Sequence, residues 1–168
     1  MNPNYPIKNY DVTKAIHYAH TYSMSRNPKY LDFSNLGGDC TNFISQCLYA
    51  GSGVSNDTPV YGWYYINAYN RSASWSGARF LYKFLTKNEG IGPFAIEVTL
   101  PEILPGDVIQ FAKNNGLIYH SLIVVEIGHP ITADNVLVST HTVDVDYMPL
   151  SSYDYEVAHF LHIEGIRI

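Results

Sequence analysis

At 168 residues, 46% hydrophobic and 15% charged, the chain is long enough to bury one ordinary core and too short for two comfortable ones, so a single domain over 1–168 is expected. Ten basic against fifteen acidic residues leave a net charge of −5, with no cluster of Lys or Arg to track a phosphate backbone, which argues against nucleic acid as a partner. The apolar runs, such as Leu122 to Val125, are strand-sized and fall short of the roughly 18 residues of a membrane span.

The start, Met1-Asn2-Pro3-Asn4-Tyr5-Pro6, has no basic stretch followed by an apolar one, so no secretory signal is read there. Asp11 is placed to cap a first helix running to about Ser23, with Ala15, Tyr18, Ala19 and Tyr22 on one face and Asn27-Pro28 marking its end. Leu31 to Gly38, closing on Gly37-Gly38, reads as a loop that delivers the chain into a second helix, with Asp39 as its expected N-cap. From Cys40 to Ala50 the residues Cys40, Phe43, Ile44, Cys47 and Leu48 form one apolar stripe, and Gly51 is the expected stop. On such a helix Cys40 and Cys47 lie ~10 Å apart at ~1.5 Å per residue, beyond the ~7 Å a disulfide spans. They leave the redox compartment undetermined.

Gly51 to Ser74 interleaves Gly, Ser, Asn and Pro with Tyr61, Trp63, Tyr64, Tyr65 and Tyr69, which predicts a long aromatic-rich loop. A third helix is expected after Ser74, running to Asn88 with Phe80, Leu81, Phe84 and Leu85 inward and Gly90 ending it. Short Val- and Ile-rich runs follow. Leu104-Pro105-Gly106-Asp107 turns into a strand at Val108 to Ala112, and Asn115-Gly116 is a hairpin signal before a strand from Leu117 to Ile127 that carries His120 near its start. A strand from Asn135 to Val143 contains His141, and a last one runs from Phe160 to Ile166. Helices first and an antiparallel sheet afterwards is the pattern of an α+β domain.

A thiol attacks as its thiolate, and a helix N-terminus favours that anion through exposed amides and the helix dipole. Cys40 is positioned for this, with Gly37-Gly38 allowing close approach of a substrate and the Cys40 amide available to an oxyanion. The plainer alternative is a small buried hydrophobe near a helix end. Asp39 and Asn42 read first as a cap and a solvated first-turn residue, and secondarily as oxyanion or substrate contacts. Trp63, Tyr64 and Trp75 either line a groove beside Cys40 or cover the core. His17 and His20, three apart on the first helix, lack a third ligand at a telling spacing, so no metal site is expected. Cys47, His129, His159 and His162 read as packing or surface residues.

The run Gly37-Gly38-Asp39-Cys40-Thr41-Asn42-Phe43-Ile44-Ser45-Gln46 resembles the nucleophile motif of the NlpC/P60-type and putative amidase families of papain-like peptidases, which share kinship with CHAP domains. Their common core is Asp-Cys followed by Ser or Thr and then a large apolar residue. The putative amidase family resembles the chain more widely, through Tyr10-Asp11, Lys14-Ala15, Asn27-Pro28, Ser74-Trp75-Ser76, Pro105-Gly106-Asp107-Val108-Ile109, His120 and His141-Thr142. The likeness covers Tyr10 to about Asp144.

That resemblance implies an α+β fold of papain-like, NlpC/P60 type, with N-terminal helices packed on a C-terminal antiparallel sheet. It implies Cys40 as nucleophile, His120 as the base that takes and returns its proton, and a third polar group on the next strand that orients the imidazole. His141 is the expected third member, with Thr140, Thr142 and Asp144 in the same run as alternatives, since a one-residue register change exchanges which side chains face the site. Substrate contacts are expected from Asp39, Asn42, Trp63 and Trp75, with no metal and no cofactor. The implied reaction is cleavage of an amide in bacterial peptidoglycan through a thioester, either at the sugar-to-peptide junction or within the peptides, acting outside the cell at the wall. A non-catalytic module that binds wall glycan or peptide on the same fold is the alternative, and oligomeric state is not readable.

Overall fold

A computed structural model describes residues 4–168. The chain runs β1 (Ile7–Lys8), α1 (Val12–Tyr22), α2 (Cys40–Ser52), β2 (Tyr65–Asn67), β3 (Asn70–Arg71), α3 (Ala73–Ser76), α4 (Ala78–Lys87), β4 (Gly92–Val98), β5 (Val108–Ala112), β6 (Ile118–Ile127), β7 (Val136–Thr140), β8 (Val145–Pro149) and β9 (Val157–Arg167), with short 3₁₀ turns at Leu100–Glu102 and Leu150–Ser152. Asp11 caps α1 by accepting a hydrogen bond from the Lys14 amide at 3.0 Å, and Ala15 and Ala19 form the helix face that is buried. Their small side chains let α1 lie close against α2.

The main sheet is antiparallel in the order β1-β9-β5-β6-β7-β8, with β4 also paired to β9. The architecture is α+β, as the order of helical and strand-like patterns predicts. No helix among the described residues is long and apolar enough to cross a membrane.

The two faces of this sheet bury separate cores. Toward the helices, Ile123, Val125 and Ile163 pack with Phe43, Ile44, Leu48, Leu81 and Leu85. On the opposite face Ile109, Phe111, Leu122, Val124, Val136 and Val138 pack with Ile103 and Leu150. Each large aliphatic side chain fully buried in this way contributes about 1.5–3 kcal/mol relative to exposure. Strand β6 alternates strictly between the two, sending Ile123 and Val125 to the helices and Leu122 and Val124 away from them.

Several boundaries differ from expectation. Helix α2 continues through Gly51 and Ser52 and stops at Gly53, which adopts the left-handed φ of 69° typical of a helix-ending glycine. Gly51 instead faces α1's entry, where an added Cβ would overlap the Tyr10 ring. The third helix is broken at Gly77, whose extended backbone separates α3 from α4, and Phe80 stands 42% exposed rather than inward. The aromatic-rich segment holds the β2–β3 hairpin. The strand with His141 ends at Thr140, so His141 belongs to the turn into β8, where Thr142 has a positive φ of 97°.

Candidate active site

Helix α2 is the central element, buried along all its length except near Tyr49 and Ala50. Its start lies where the loop ending in Gly37-Gly38 meets the end of β7. Both glycines hold left-handed backbone, with φ of 103° and 109°, a conformation that L side chains resist. A Cβ at Gly38 would touch Thr142 Oγ1 at 3.4 Å, so the turn after β7 lies directly against the segment that precedes Cys40.

Asp39 occupies the N-cap position but does not cap. Its carboxylate turns away from the helix axis, accepting hydrogen bonds from the Phe33 amide at 2.9 Å and the Asn42 side-chain amide at 2.8 Å through Oδ1. Through Oδ2 it meets His141 Nδ1 at 2.5 Å, and Arg26 Nε lies 3.4 Å away. The first bond internal to α2 is from the Phe43 amide to the Asp39 carbonyl at 2.9 Å. With the Asp39 side chain engaged elsewhere, the amides of Cys40, Thr41 and Asn42 are left without an acceptor among the described residues, which makes this helix start a place for negative charge.

His141 is buried and tightly held. Its ring stacks on Phe43 with centroids 4.0 Å apart, and its Nε2 lies 2.8 Å from the Tyr22 carbonyl and 3.3 Å from Arg26 Nη1. Arg26 in turn clamps Asp144 with Nη1 and Nη2 at 2.9 and 3.0 Å, a fork-to-carboxylate match, and donates to Ser34 Oγ at 3.1 Å. Asp144 therefore serves the guanidinium and not the imidazole. Thr140 bonds the carbonyls of Ser121 and His141. Of the four candidates for the orienting group, His141 is the one joined to the residue that precedes Cys40.

Cys40 is 7% exposed, and its sulfur lies 3.8 Å from Thr41 Oγ1. Both cysteines are free thiols. Burial, with the Asp146 charge adding to it, pushes the Cys47 thiol well up, which suits a packing role deep in α2.

His120 is not delivered to Cys40. It pairs with Phe111 across β5 and β6 beside a bulge and lies on the far face of the sheet, with the rings of Phe111 and Tyr153 at 5.8 and 6.2 Å. Its neighbour Ser121 is the residue that faces α2, reaching Thr41 Oγ1 at 3.0 Å. The expectation that His120 draws the Cys40 proton is therefore not met in this geometry; the two-residue period of β6 allows either position 120 or position 121 to face the helices, and it is 121.

Burial on that far face pulls the His120 imidazole down to about 4. As pH falls below the ordinary value of about 6.5, the unfolded chain takes up this proton while the folded one refuses it, so stability is lost between about pH 6.5 and 4. His120→Gln is expected to remove on the order of 3 kcal/mol of that loss, read from urea midpoints at the two pH values. Equal losses in both proteins would overturn this account.

Neither Trp63 nor Trp75 lines a groove that includes Cys40, although Trp75 lines a pocket with Tyr30, Tyr49 and Tyr65. The two tryptophans are 0% and 1% exposed, lie 5.0 Å apart, and use their indole N–H groups internally, Trp63 toward Ser45 Oγ and Trp75 toward Asn42 Oδ1, each at 3.0 Å. Asn42 is likewise buried, donating to the Leu31 carbonyl at 3.0 Å as well as to Asp39. These residues shape the wall behind the site by fixing the loop from Leu31 to Asp39.

Three other histidines take carboxylate partners away from Cys40: His20 with Asp146 at 2.9 Å, His159 with Glu97 at 2.6 Å and His162 with Asp107 at 3.0 Å. Arg26 is the member of the site that sequence reading passes over. It sits in a polar loop and carries no motif, and only the tertiary structure brings it to Asp39, Asp144 and His141.

A profile of the putative amidase domain family matches residues 9–163. The chain belongs to that family. Among its relatives is the uncharacterized protein YhbB of Bacillus subtilis (strain 168), 37% identical over 119 residues, a stretch that covers 69% of this chain and 37% of that protein. The chain thus spans little more than a third of the curated relative it matches. No solved structure matches it. Membership of the putative amidase family suggests an amidase activity, and the family match takes in both Cys40 and His141.

Proposed function

We propose that this amidase-family chain is a cysteine amidohydrolase of papain-like, NlpC/P60-related architecture, with Cys40 as nucleophile and His141 as the imidazole that carries the proton. The observation that supports it most is the buried Asp39–His141 pair fixed to the residue immediately before a thiol at a helix start. The thiolate attacks the amide carbonyl carbon, and the developing oxyanion meets the unbonded amides at the start of α2. The imidazolium then protonates the departing amine, and water hydrolyses the thioester. The Asp39 carboxylate accepts from His141 Nδ1 and so sets the orientation of the ring. In the resting structure His141 Nε2 donates to the Tyr22 carbonyl, so this bond gives way as Nε2 turns its proton to the departing amine.

The substrate proposed is an amide of bacterial peptidoglycan, on the strength of the resemblance to wall-cleaving papain-like domains, and the site of action is then the cell wall. Purified walls incubated with the protein are expected to expose new amines. Alanine amino groups at the sugar junction identify an N-acetylmuramoyl-L-alanine amidase, and amines of other residues identify a peptide endopeptidase. No new amine with intact Cys40 would remove peptidoglycan as the substrate.

A second reading, a wall-binding module without catalysis, draws on the fact that both nitrogens of His141 are engaged. Wall binding with no amine release is its signature.

A further inference from the structure

Behind Cys40 runs a line of buried side chains that the catalytic reading leaves unexplained. Thr41 Oγ1 lies 3.8 Å from the Cys40 sulfur and 3.0 Å from Ser121 Oγ, and Gln110 Nε2 donates to Ser121 Oγ at 2.9 Å and to the Ala78 carbonyl at 2.8 Å. Thr41, Ser121 and Gln110 are each at most 1% exposed, so water does not compete for these groups. A glutamine in the otherwise apolar strand β5, at a 0% exposed position, requires a reason.

The donor at the far end of the chain is fixed. The Ala78 carbonyl only accepts, so the Gln110 side chain must present its NH₂ group there, and the second N–H of the same group points at Ser121 Oγ. Ser121 accepts from Gln110 and has its own hydrogen to give to Thr41. When that hydrogen is given, Thr41 accepts from Ser121, and its own hydrogen is left to give to the sulfur. With Ser121 donating to Thr41 and Thr41 to the sulfur, donors in series polarise one another in a water-free interior. The reverse sense, Thr41 donating to the second lone pair of Ser121 Oγ, leaves the sulfur without a donor, and the substitutions below separate the two.

We propose that Thr41 is a positioning residue that donates a hydrogen bond to the Cys40 thiolate, with its hydroxyl oriented by Ser121 and Gln110. This deepens the reading of Cys40 as nucleophile and rests on it. A hydrogen bond to a charged group is strong, and the anion is the form that attacks, so loss of the donor lowers the thiolate population and the rate of its reactions.

The test uses the full chain with Cys47→Ala, so that Cys40 is the sole thiol, and follows iodoacetamide alkylation at about pH 7. Thr41→Val keeps the shape and removes the donor, and is expected to slow alkylation by about tenfold or more, the size of a lost hydrogen bond to a charge. Thr41→Ser restores the donor and is expected to return the rate to within about twofold. Ser121→Ala frees the Thr41 hydrogen to turn elsewhere and is expected to slow it by about threefold, the size of a neutral bond. Steric shielding of the sulfur is the same for threonine and valine, so it does not enter the ratio. Equal alkylation rates with and without the Thr41→Val substitution would overturn the proposal. If that result came with loss of amide cleavage in Cys40→Ala, the nucleophile reading would stand and only the donor chain would fall. Cleavage that survives Cys40→Ala would instead overturn the reading on which the chain depends.

Discussion

Cys40→Ala is expected to lower amide cleavage by about 10³-fold or more while leaving the protein folded, because removal of a covalent nucleophile eliminates the step on which the other groups act. Cys40→Ser is expected to fall nearly as far. A helix start that supports a thiolate does not ionise an alcohol, whose intrinsic acidity is many orders of magnitude lower, and the His141 nitrogens are bonded to Asp39 and Tyr22 in the resting structure rather than to that position. The change in stability is expected to stay near 1 kcal/mol, since one sulfur atom is lost at the end of a helix rather than in its middle. The measurement is release of new amines from purified walls, with circular dichroism to confirm the fold. Undiminished release from Cys40→Ala would exclude the thioester route.

The second large effect is at His141. Its ring stacks on Phe43 and meets the Asp39 carboxylate at Nδ1, with Arg26 Nη1 near Nε2. His141→Ala opens a cavity and leaves the buried carboxylate of Asp39 without its closest partner, and breaking such a pair from one side costs about 3–5 kcal/mol. His141→Gln retains a polar side chain of similar reach but transfers no proton at neutral pH. It is expected to lose about 10²–10⁴-fold in turnover, the contribution of a general acid–base group. His120→Gln is expected to stay within about tenfold of wild type, because that side chain lies on the far face of the sheet. Comparing turnover of the two glutamine variants at a temperature where both are folded separates catalysis from stability. The reverse order, an active His141→Gln and an inactive His120→Gln, would return the base to His120 and require the register beside the Tyr119 bulge to differ when substrate is bound.

Much of the site was readable because its signals are local. A thiol following Asp at the head of an apolar stripe, two glycines before it, and Gly116 in the hairpin before β6 depend on nearest neighbours and on the 3.6-residue period of a helix. Gly37, Gly38 and Gly116 all take positive φ, as turn and close-approach glycines do. The α+β order followed from the change of period at about Gly90. The break at Gly77 and the short β2–β3 hairpin were not readable, since weak local preferences there are decided by what Trp63 and Trp75 bury.

What the amino-acid sequence alone determined was the position of Cys40 at the start of α2 and the antiparallel second half, with His120 on a strand of it; His141 was expected on a strand and lies in the turn after β7. Tertiary structure decided which of those histidines meets the helix start. A strand presents its side chains alternately to its two faces, so which of positions 120 and 121 faces the helices is decided only by the packing of Ile123 and Val125 in the core with α2, and it is Ser121 rather than the expected His120. The same packing turned Asp39 from a helix cap into the partner of His141, and drew Arg26, Ser121 and Gln110 to the site from loop and strand positions with no shared motif. Such groups are brought together only by the closing of α2 onto the sheet, a contact between segments 80 residues apart at Thr41 and Ser121. Helix-terminus chemistry at Cys40 is a property of a few consecutive residues, while its partners are a property of the whole fold.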